Sequence, residues 1–227
     1  MINSIYVGYD KNQEIATEVC CYSIKKHLSR SIDVFQLKRD ELIKNGIYTR
    51  GKIQGETTEF GYTRFLIPNL MQYEGWGLFC DADFLFVDDI SKIIKTYDQQ
   101  KAVYVVKHQH TPTNTIKMVD KIQDSYQRKN WSSLIIFNNS HIKNKTLTPH
   151  CISNESKQFL NEFQWLYDDD IGEIELSWNF LVGINKHSNP RGFHYTDGGP
   201  WLEGMKNVPY SEIWNSYYLE SLKKNKV

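Results

Sequence analysis

The most apolar stretch of the chain, Gly77-Leu78-Phe79-Cys80-Asp81-Ala82-Asp83-Phe84-Leu85-Phe86-Val87, contains two aspartates. Its composition is that of a core strand, where a buried carboxylate costs several kcal/mol unless a cation or hydrogen-bond donors compensate it. In an extended chain residues i and i+2 project to the same side. Asp81 and Asp83 can then reach one ion while Ala82 points away and leaves room. Oxygen ligands imply Mg²⁺ or Mn²⁺, whose remaining positions are commonly filled by water and phosphate oxygens. A solvated acidic loop is the competing reading, since Asp-x-Asp is a common tripeptide. A hairpin turn fits less well, because Phe84-Leu85-Phe86 continues apolar and no Gly or Asn supplies turn chemistry.

The rest of the chain alternates between strand and helix patterns. Ile2 to Tyr9 is β-rich and is followed by helical spacing at Ile15, Val19, Tyr22, Ile24 and Leu28. Asp33 to Leu37 reads as a second strand, which completes a βαβ unit whose ligand contacts belong at the carboxyl ends of its strands, where Asp10 lies. Gly46 to Gly55 is a polar loop carrying Arg50 and Lys52. Thr58 to Leu70 predicts a helix with Phe60, Arg64 and Ile67 on one face, ending near Pro68. A helix around Asp89 to Tyr97, a strand at Ala102 to Lys107 and a strand at Ser133 to Phe137 follow the acidic strand. Pro149, Asp168 to Asp170, Pro190 and Thr196 to Trp201 punctuate a tail of loops and short helices. Tyr210 to Lys226 reads as a packed terminal helix with solvated Lys223, Lys224 and Lys226, or as an interfacial membrane helix. The alternation predicts an α/β fold, with a mostly parallel central sheet flanked by helices in a single domain.

Composition narrows the partners. A chain of 227 residues suits one domain, and 27 basic residues balance 27 acidic ones, so there is no global basic field for nucleic acid. Cys20, Cys21, Cys80 and Cys151 show neither paired zinc spacing nor a disulfide framework, and read as buried thiols in a reducing compartment. Ile2 to Val7 is too short for a signal-peptide core, and no segment approaches the ~20 apolar residues of a membrane span. The expected location is the cytoplasm, with weak peripheral association at the inner face of the membrane as an addition. Walker loops, serine nucleophile elbows and His-Glu-x-x-His motifs are missing, against the commonest NTPase, esterase and metalloprotease readings.

A second constellation is His194-Tyr195-Thr196-Asp197-Gly198-Gly199-Pro200-Trp201. Backbone amides of Gly198 and Gly199 can approach phosphate oxygens, and a histidine nitrogen beside two aspartates suits Mn²⁺ better than Mg²⁺. An ordinary type II turn remains the alternative. Arg64 lies among Phe60, Tyr62, Phe65 and Leu66, where an unpaired guanidinium would be costly. Arg64, and Arg128 with Lys129, are candidates for phosphate or sugar hydroxyls, or plain surface charges. Asp168, Asp169 and Asp170 form a solvated acidic turn or supply a catalytic base.

In order, Gly8-Tyr9-Asp10, Tyr62-Thr63-Arg64, Phe79-Cys80-Asp81-Ala82-Asp83 and His194 with Gly199-Pro200-Trp201 resemble the GT-A nucleotide-sugar glycosyltransferases, most of all glycosyltransferase family eight and related small bacterial and viral proteins. Arg128 to Asn138 and Leu176 to Gly183 are similar to further blocks of the small proteins. The resemblance implies a Rossmann-like GT-A domain over residues 1–227, with a nucleotide-binding half at 1–110. The other half, 111–227, would carry the acceptor and sugar side and the C-terminal helix. It implies Asp81, Asp83 and His194 as ligands of Mn²⁺ or Mg²⁺. It places Gly8, Tyr9, Asp10 and Asn12 along the uracil, Arg64 on the donor, and Ser132 and Ser133 near the sugar. Ala82, between the acidic pair, belongs to the same donor site. A UDP-sugar is the implied donor and a saccharide the implied acceptor, as in polysaccharide biosynthesis. Two departures stand out. The family's His-x-x-Gly-x-x-Lys-Pro-Trp is one residue shorter here and has Gly199 where the lysine would precede the proline, so the amides of Gly198 and Gly199, or Lys129, would replace it. The Asp-Gln-Asp block falls near Ser177-Trp178-Asn179 without a glutamine, which leaves retention or inversion open. In an inverting reaction the base would come from Asp168, Asp169, Asp170, Glu173 or Glu175. Two alternatives stand beside the transferase: a sugar-1-phosphate nucleotidyltransferase, whose glycine-rich Arg/Lys loop is not found after the first strand, and a non-catalytic nucleotide-sugar- or carbohydrate-binding module.

Overall fold

A computed structural model describes residues 1–51, 57–109, 116–117, 121–122 and 128–224. Lys52 and Lys226 lie outside the described residues. Strand β1 (Ile2–Gly8) leads through a short 3₁₀ turn into helix α1 (Glu14–His27), and β2 (Asp33–Leu37) returns parallel to β1. After α2 (Arg39–Lys44) the chain reaches the segment expected to be one helix. It is instead a 3₁₀ turn at Thr63–Leu66 followed by α3 (Ile67–Leu70). Pro68 has no N–H to return to Arg64, so a helix through this point would lose a rung.

Strand β3 (Trp76–Cys80) lies parallel to β1, and β4 (Phe84–Phe86) follows it closely. The helix expected around Asp89 to Tyr97 is a single 3₁₀ turn, Ile90–Lys92, capped by the Asp89 side chain. Ile90, Ile93, Ile94 and Thr96 are β-branched and lose rotamer freedom in a helix, so the cap is not propagated. Strand β5 (Val103–Val105) and the antiparallel pair β6 (Ile116–Lys117) and β7 (Lys121–Ile122) come next. The second half supplies β8 (Leu134–Asn138), α4 (Pro149–Asn154), α5 (Lys157–Asn161), β9 (Ile171–Glu173), β10 (Phe180–Leu181), β11 (Gly192–His194) and α6 (Ser211–Lys224).

The main sheet has the order β2-β1-β3-β8-β5-β9. All of its strands run the same way except β8, which is antiparallel to both β3 and β5. The mostly parallel expectation holds, with one reversed strand. Because β8 and β9 join β3 and β5, the two halves of the chain share one sheet. Its faces are both covered. Phe79, Ile135 and Phe137 enter one apolar cluster, while Leu78, Cys80, Leu134 and Ile136 enter another. This is the period-2 geometry of a strand buried on both sides, and it explains why β3 and β8 read as continuous apolar runs.

Cys20, Cys21 and Cys80 are buried as expected while Cys151 is only partly so; Cys20 and Cys80 sit 3.9 Å apart, and burial pushes both thiol pKa values up. Helix α6 packs on α1. Its Glu220 accepts from the Tyr22 hydroxyl at 3.0 Å and pairs with Lys26 at 2.5 Å, and its Tyr217 hydroxyl bonds His27 at 2.7 Å. Trp214 is buried with Val19, Leu85 and Tyr195. The terminal helix therefore packs over the described range, and none of the described helices is long and apolar enough to cross a membrane. Replacing Trp214 by Ala removes the main anchor of α6 and is expected to cost about 3–5 kcal/mol in urea unfolding. A loss below about 1 kcal/mol would mean that α6 is not held by this contact.

Candidate metal centre and donor site

The acidic pair does not lie inside one continuous strand. Asp81 is still in the ladder of the main sheet, its N–H donating to the Ser133 carbonyl at 2.9 Å. Ala82 and Asp83 then turn the chain away, so that β4 leaves this sheet and joins a second one of order β10-β11-β4. Ala82 is fully buried in the core, as expected of the residue between two ligands. Strand β11 runs antiparallel to β4, with His194 opposite Phe84, and the Tyr195 N–H donates to the Asp83 carbonyl at 3.0 Å. Two segments more than a hundred residues apart thus meet at the carboxyl end of β3.

Ligand atoms of Asp81, Asp83 and His194 all lie within 4.8 Å of one another. His194 Nε2 is 3.3 Å from Asp83 Oδ1, and the imidazole stacks on Phe84 with centroids 4.4 Å apart. Asp83 and His194 are buried, while Asp81 keeps a partly exposed edge. His194 Nε2 is itself buried and makes no hydrogen bond. Two acceptor atoms facing one another in such surroundings carry a cost that a cation between them would remove. Two carboxylates and one imidazole fit a divalent cation, and the nitrogen favours Mn²⁺ over Mg²⁺.

Arg64 compensates Asp81. Its Nη1 lies 2.9 Å from Asp81 Oδ1 and donates to the Ser132 carbonyl at 2.7 Å, while Nε donates to the Phe60 carbonyl at 3.3 Å. The guanidinium lies over the rings of Phe60 and Phe79, at 5.3 and 5.1 Å. Both serines expected near the sugar are buried. Ser132 Oγ donates to Asn161 at 2.8 Å and Ser133 Oγ to the Asn130 carbonyl at 2.6 Å. Sequence reasoning missed Asn179 as part of this site, although it lies in the block singled out for its missing glutamine. Its Nδ2 donates to Ser133 Oγ at 2.9 Å, and its Oδ1 is 2.8 Å from His194 Nδ1. A buried asparagine between Trp178 and Phe180 was the available signal.

The first-strand loop is held by Asp10, which accepts from the Asn12 N–H at 2.8 Å and from the Glu59 N–H at 3.2 Å. Gly8 is required by packing, since a Cβ there would come within 2.6 Å of the Phe60 ring. The Tyr9 hydroxyl donates to Glu14 at 3.2 Å. In the glycine loop, Gly198 adopts φ +114° and its N–H is already taken by the Tyr195 carbonyl at 2.8 Å. The expected pair of phosphate-facing amides is thereby narrowed to Gly199, where any Cβ would collide with Trp201. Lys129 is buried beside Asn130. Arg128 is committed elsewhere, donating to the Glu162 carbonyl and to Asp168 while lying over Trp131.

The register separates the candidate bases. Ile171 pairs with Val103, which is level with Phe137 and Gly77, whereas Glu173 is level with Val105, Ile135 and Phe79. Asp168, Asp169 and Asp170 precede β9 and sit at the end of the sheet opposite Asp81. Asp170 pairs there with Lys143 at 2.5 Å, and Asp169 offers its carbonyl to Lys101 at 2.7 Å. Glu173 and Glu175 leave β9 at the same end as Asp81, and Glu175 faces Arg191 at 3.9 Å.

The bifunctional glycosyltransferase WbbM superposes on 98% of the chain with a TM-score of 0.65 at 13% identity, although the chain spans only 51% of WbbM. The galactosyltransferase LgtC, crystallised with donor and acceptor sugar analogues, covers 96% of the chain with a TM-score of 0.60 at 13% identity, and the chain covers 95% of LgtC. The fold is therefore that of the GT-A nucleotide-sugar glycosyltransferases. No family model matches the sequence. Protein CDI of Arabidopsis thaliana is 40% identical over 228 residues, which cover 98% of this chain and 88% of that protein, and the chain belongs to the family of Protein CDI.

Arg64→Ala leaves Asp81 as a largely desolvated charge and is expected to destabilise the protein by about 3–5 kcal/mol in urea unfolding. Adding Asp81→Asn should recover much of that loss. Losses in Arg64→Ala and Asp81→Asn that simply add in the double variant would show that the pair is not coupled.

Proposed function

We propose that the protein is a metal-dependent glycosyltransferase that moves a hexose from a nucleotide-diphosphate sugar, UDP-linked, to a hydroxyl of a saccharide acceptor. The observation that carries this reading is the convergence of Asp81, Asp83 and His194 within 4.8 Å at the carboxyl end of β3 in a GT-A fold. Strand carboxyl ends are where open α/β sheets receive ligands. Support also comes from LgtC, which shares the fold and was crystallised with donor and acceptor sugar analogues.

On this reading Asp81, Asp83 and His194 would hold a Mn²⁺ or Mg²⁺ ion, which would supply positive charge to a diphosphate leaving group. Arg64 fixes the Asp81 carboxylate, and Asp10 orders the loop of Gly8, Tyr9 and Asn12 against which the base lies. The Gly199 amide and Lys129 take up phosphate charge in place of the family's lysine. Ser132 and Ser133 border the sugar. Such preset donors act without reorganising when charge develops, which makes them effective in a dry site. Glu173 and Glu175 are better placed than Asp168 to Asp170 to receive an acceptor proton in an inverting reaction. In a retaining one the departing phosphate takes it. Residues 1–110 act as the nucleotide half and 111–227 as the acceptor half of one domain. The reaction belongs to cytoplasmic polysaccharide assembly, with weak association at the inner membrane face.

Purified protein incubated with Mn²⁺ and UDP-glucose or UDP-galactose is expected to release UDP slowly. Binding without turnover across a donor panel would favour a carbohydrate- or nucleotide-binding module, and synthesis of UDP-sugar from UTP and sugar-1-phosphate a nucleotidyltransferase. Asp83→Ala should weaken Mn²⁺-dependent UDP-sugar binding more than about 100-fold by calorimetry, with the unfolding midpoint near that of the parent. Affinity unchanged in this variant and insensitive to EDTA would overturn the metal assignment.

A further inference from the structure

The neighbourhood of His194 contains a chain of hydrogen bonds whose directions can be assigned from chemistry alone. The Asn130 carbonyl can only accept. Ser133 Oγ gives its proton to that carbonyl at 2.6 Å and so turns a lone pair toward Asn179, 2.9 Å away. The end of the Asn179 amide facing Ser133 and the Asn130 carbonyl, the latter at 3.5 Å, must therefore be the NH₂. In the flipped orientation an amide oxygen would face a carbonyl oxygen and a hydroxyl lone pair in a buried site, where unsatisfied polar atoms are costly. The opposite end, Oδ1, lies 2.8 Å from His194 Nδ1, and an amide oxygen can only accept. Nδ1 then carries the hydrogen in the neutral ring, and the lone pair of Nε2 is left pointing at Asp83 Oδ1, 3.3 Å away. Phe84, stacked at an interplanar angle of 13°, holds the ring plane, so tautomer and direction are set together.

We infer that Asn179 is a positioning residue. Oriented by Ser133 and the Asn130 carbonyl, it locks His194 as the Nδ1–H tautomer and aims Nε2 at the cation shared with Asp81 and Asp83. This rests on the reading of those three residues as metal ligands. The role is built into the fold. Asn179 closes the 3₁₀ turn Leu176–Asn179 ahead of β10, which pairs parallel with β11, so the entry to β10 sets Asn179 beside the strand that delivers His194. Partners of this kind on a ligating histidine commonly govern metal affinity about 10–100-fold.

The test uses the whole protein with ¹⁵N-labelled histidine, the His194 signals being assigned by their loss in His194→Gln. In the metal-free state, at a pH where the ring is neutral, long-range ¹H–¹⁵N correlation is expected to show a protonated Nδ1 and an unprotonated Nε2. Asn179→Leu should let the proton move to Nε2 and weaken Mn²⁺ binding, followed by the EPR signal of the free ion, about 10–100-fold. Asn179→Asp, which keeps an acceptor at the same place, should restore both the tautomer and most of the affinity, which a merely structural role would not do. Nε2–H in the parent protein, or a leucine variant with unchanged tautomer and affinity, would overturn the assignment. If Asn179→Leu does not fold, the parent spectrum still decides, together with Ser133→Ala, in which the amide can flip and a mixed tautomer is expected. Failure of the parent to bind Mn²⁺ would count against the metal reading alone, because the tautomer is read without metal.

Discussion

Placing Asp81 and Asp83 at the end of a strand whose every residue is buried removes two charges from most of the water that would solvate them. Each needs a partner of its own, because the two repel one another. Asp81 has Arg64, and Arg64 is tied down in turn by the carbonyls of Phe60 and Ser132 and by two aromatic faces. Asp83 faces His194, brought in by β11, and a cation between the two would compensate both. The region before α3, the loop before β8 and the last strand of the chain are thus committed by a single electrostatic requirement.

The reversed strand has a matching consequence. A strand entering beside β3 in the parallel sense would bring its carboxyl end to Asp81. Running antiparallel, β8 brings its beginning, so that Ser132 and Ser133 stand next to Asp81 and the Asp81 N–H reaches the Ser133 carbonyl. Asn130, Ser133 and Asn179 can then form one buried network behind His194. Because β8 occupies the place beside β3, β4 has no partner in the main sheet. It finds one in β11, and the second sheet is the means by which the tail reaches the site.

Much of this was legible in the sequence. Strands β1, β2, β3, β5 and β8, the helix after β1, and the trio Asp81, Asp83 and His194 could all be read from apolar runs broken by charge, together with an ordered family likeness. Other features could not be read. The direction of β8 depends on which strands it joins, and no local pattern encodes that. The segment Asp89 to Tyr97 has a good cap and a poor continuation, and tertiary context settles the balance. The acidic triplet Asp168 to Asp170 could be read as a solvated turn or as the source of a catalytic base. Its place at the far end of the sheet follows only from the register of β9 on β5. Gly198 and Gly199 looked equivalent, yet one amide closes a turn on Tyr195 and the other does not.

Most polar groups around the acidic trio are engaged by other parts of the chain before any substrate arrives. Asp10 is held by two backbone amides, Ser132 by Asn161, Ser133 by Asn130 and Asn179, and Gly198 by Tyr195. Groups already committed contribute shape and fixed dipoles, whereas new bonds to a ligand must come from those with capacity to spare. Three groups that face the site are the partly exposed carboxylate of Asp81, the Nε2 of His194 and the amide of Gly199. All three suit a cation and the oxygens gathered round it better than they suit a covalent intermediate. On the proposed reading such a site would act by electrostatic stabilisation of a departing diphosphate, with the acceptor supplying the attacking group.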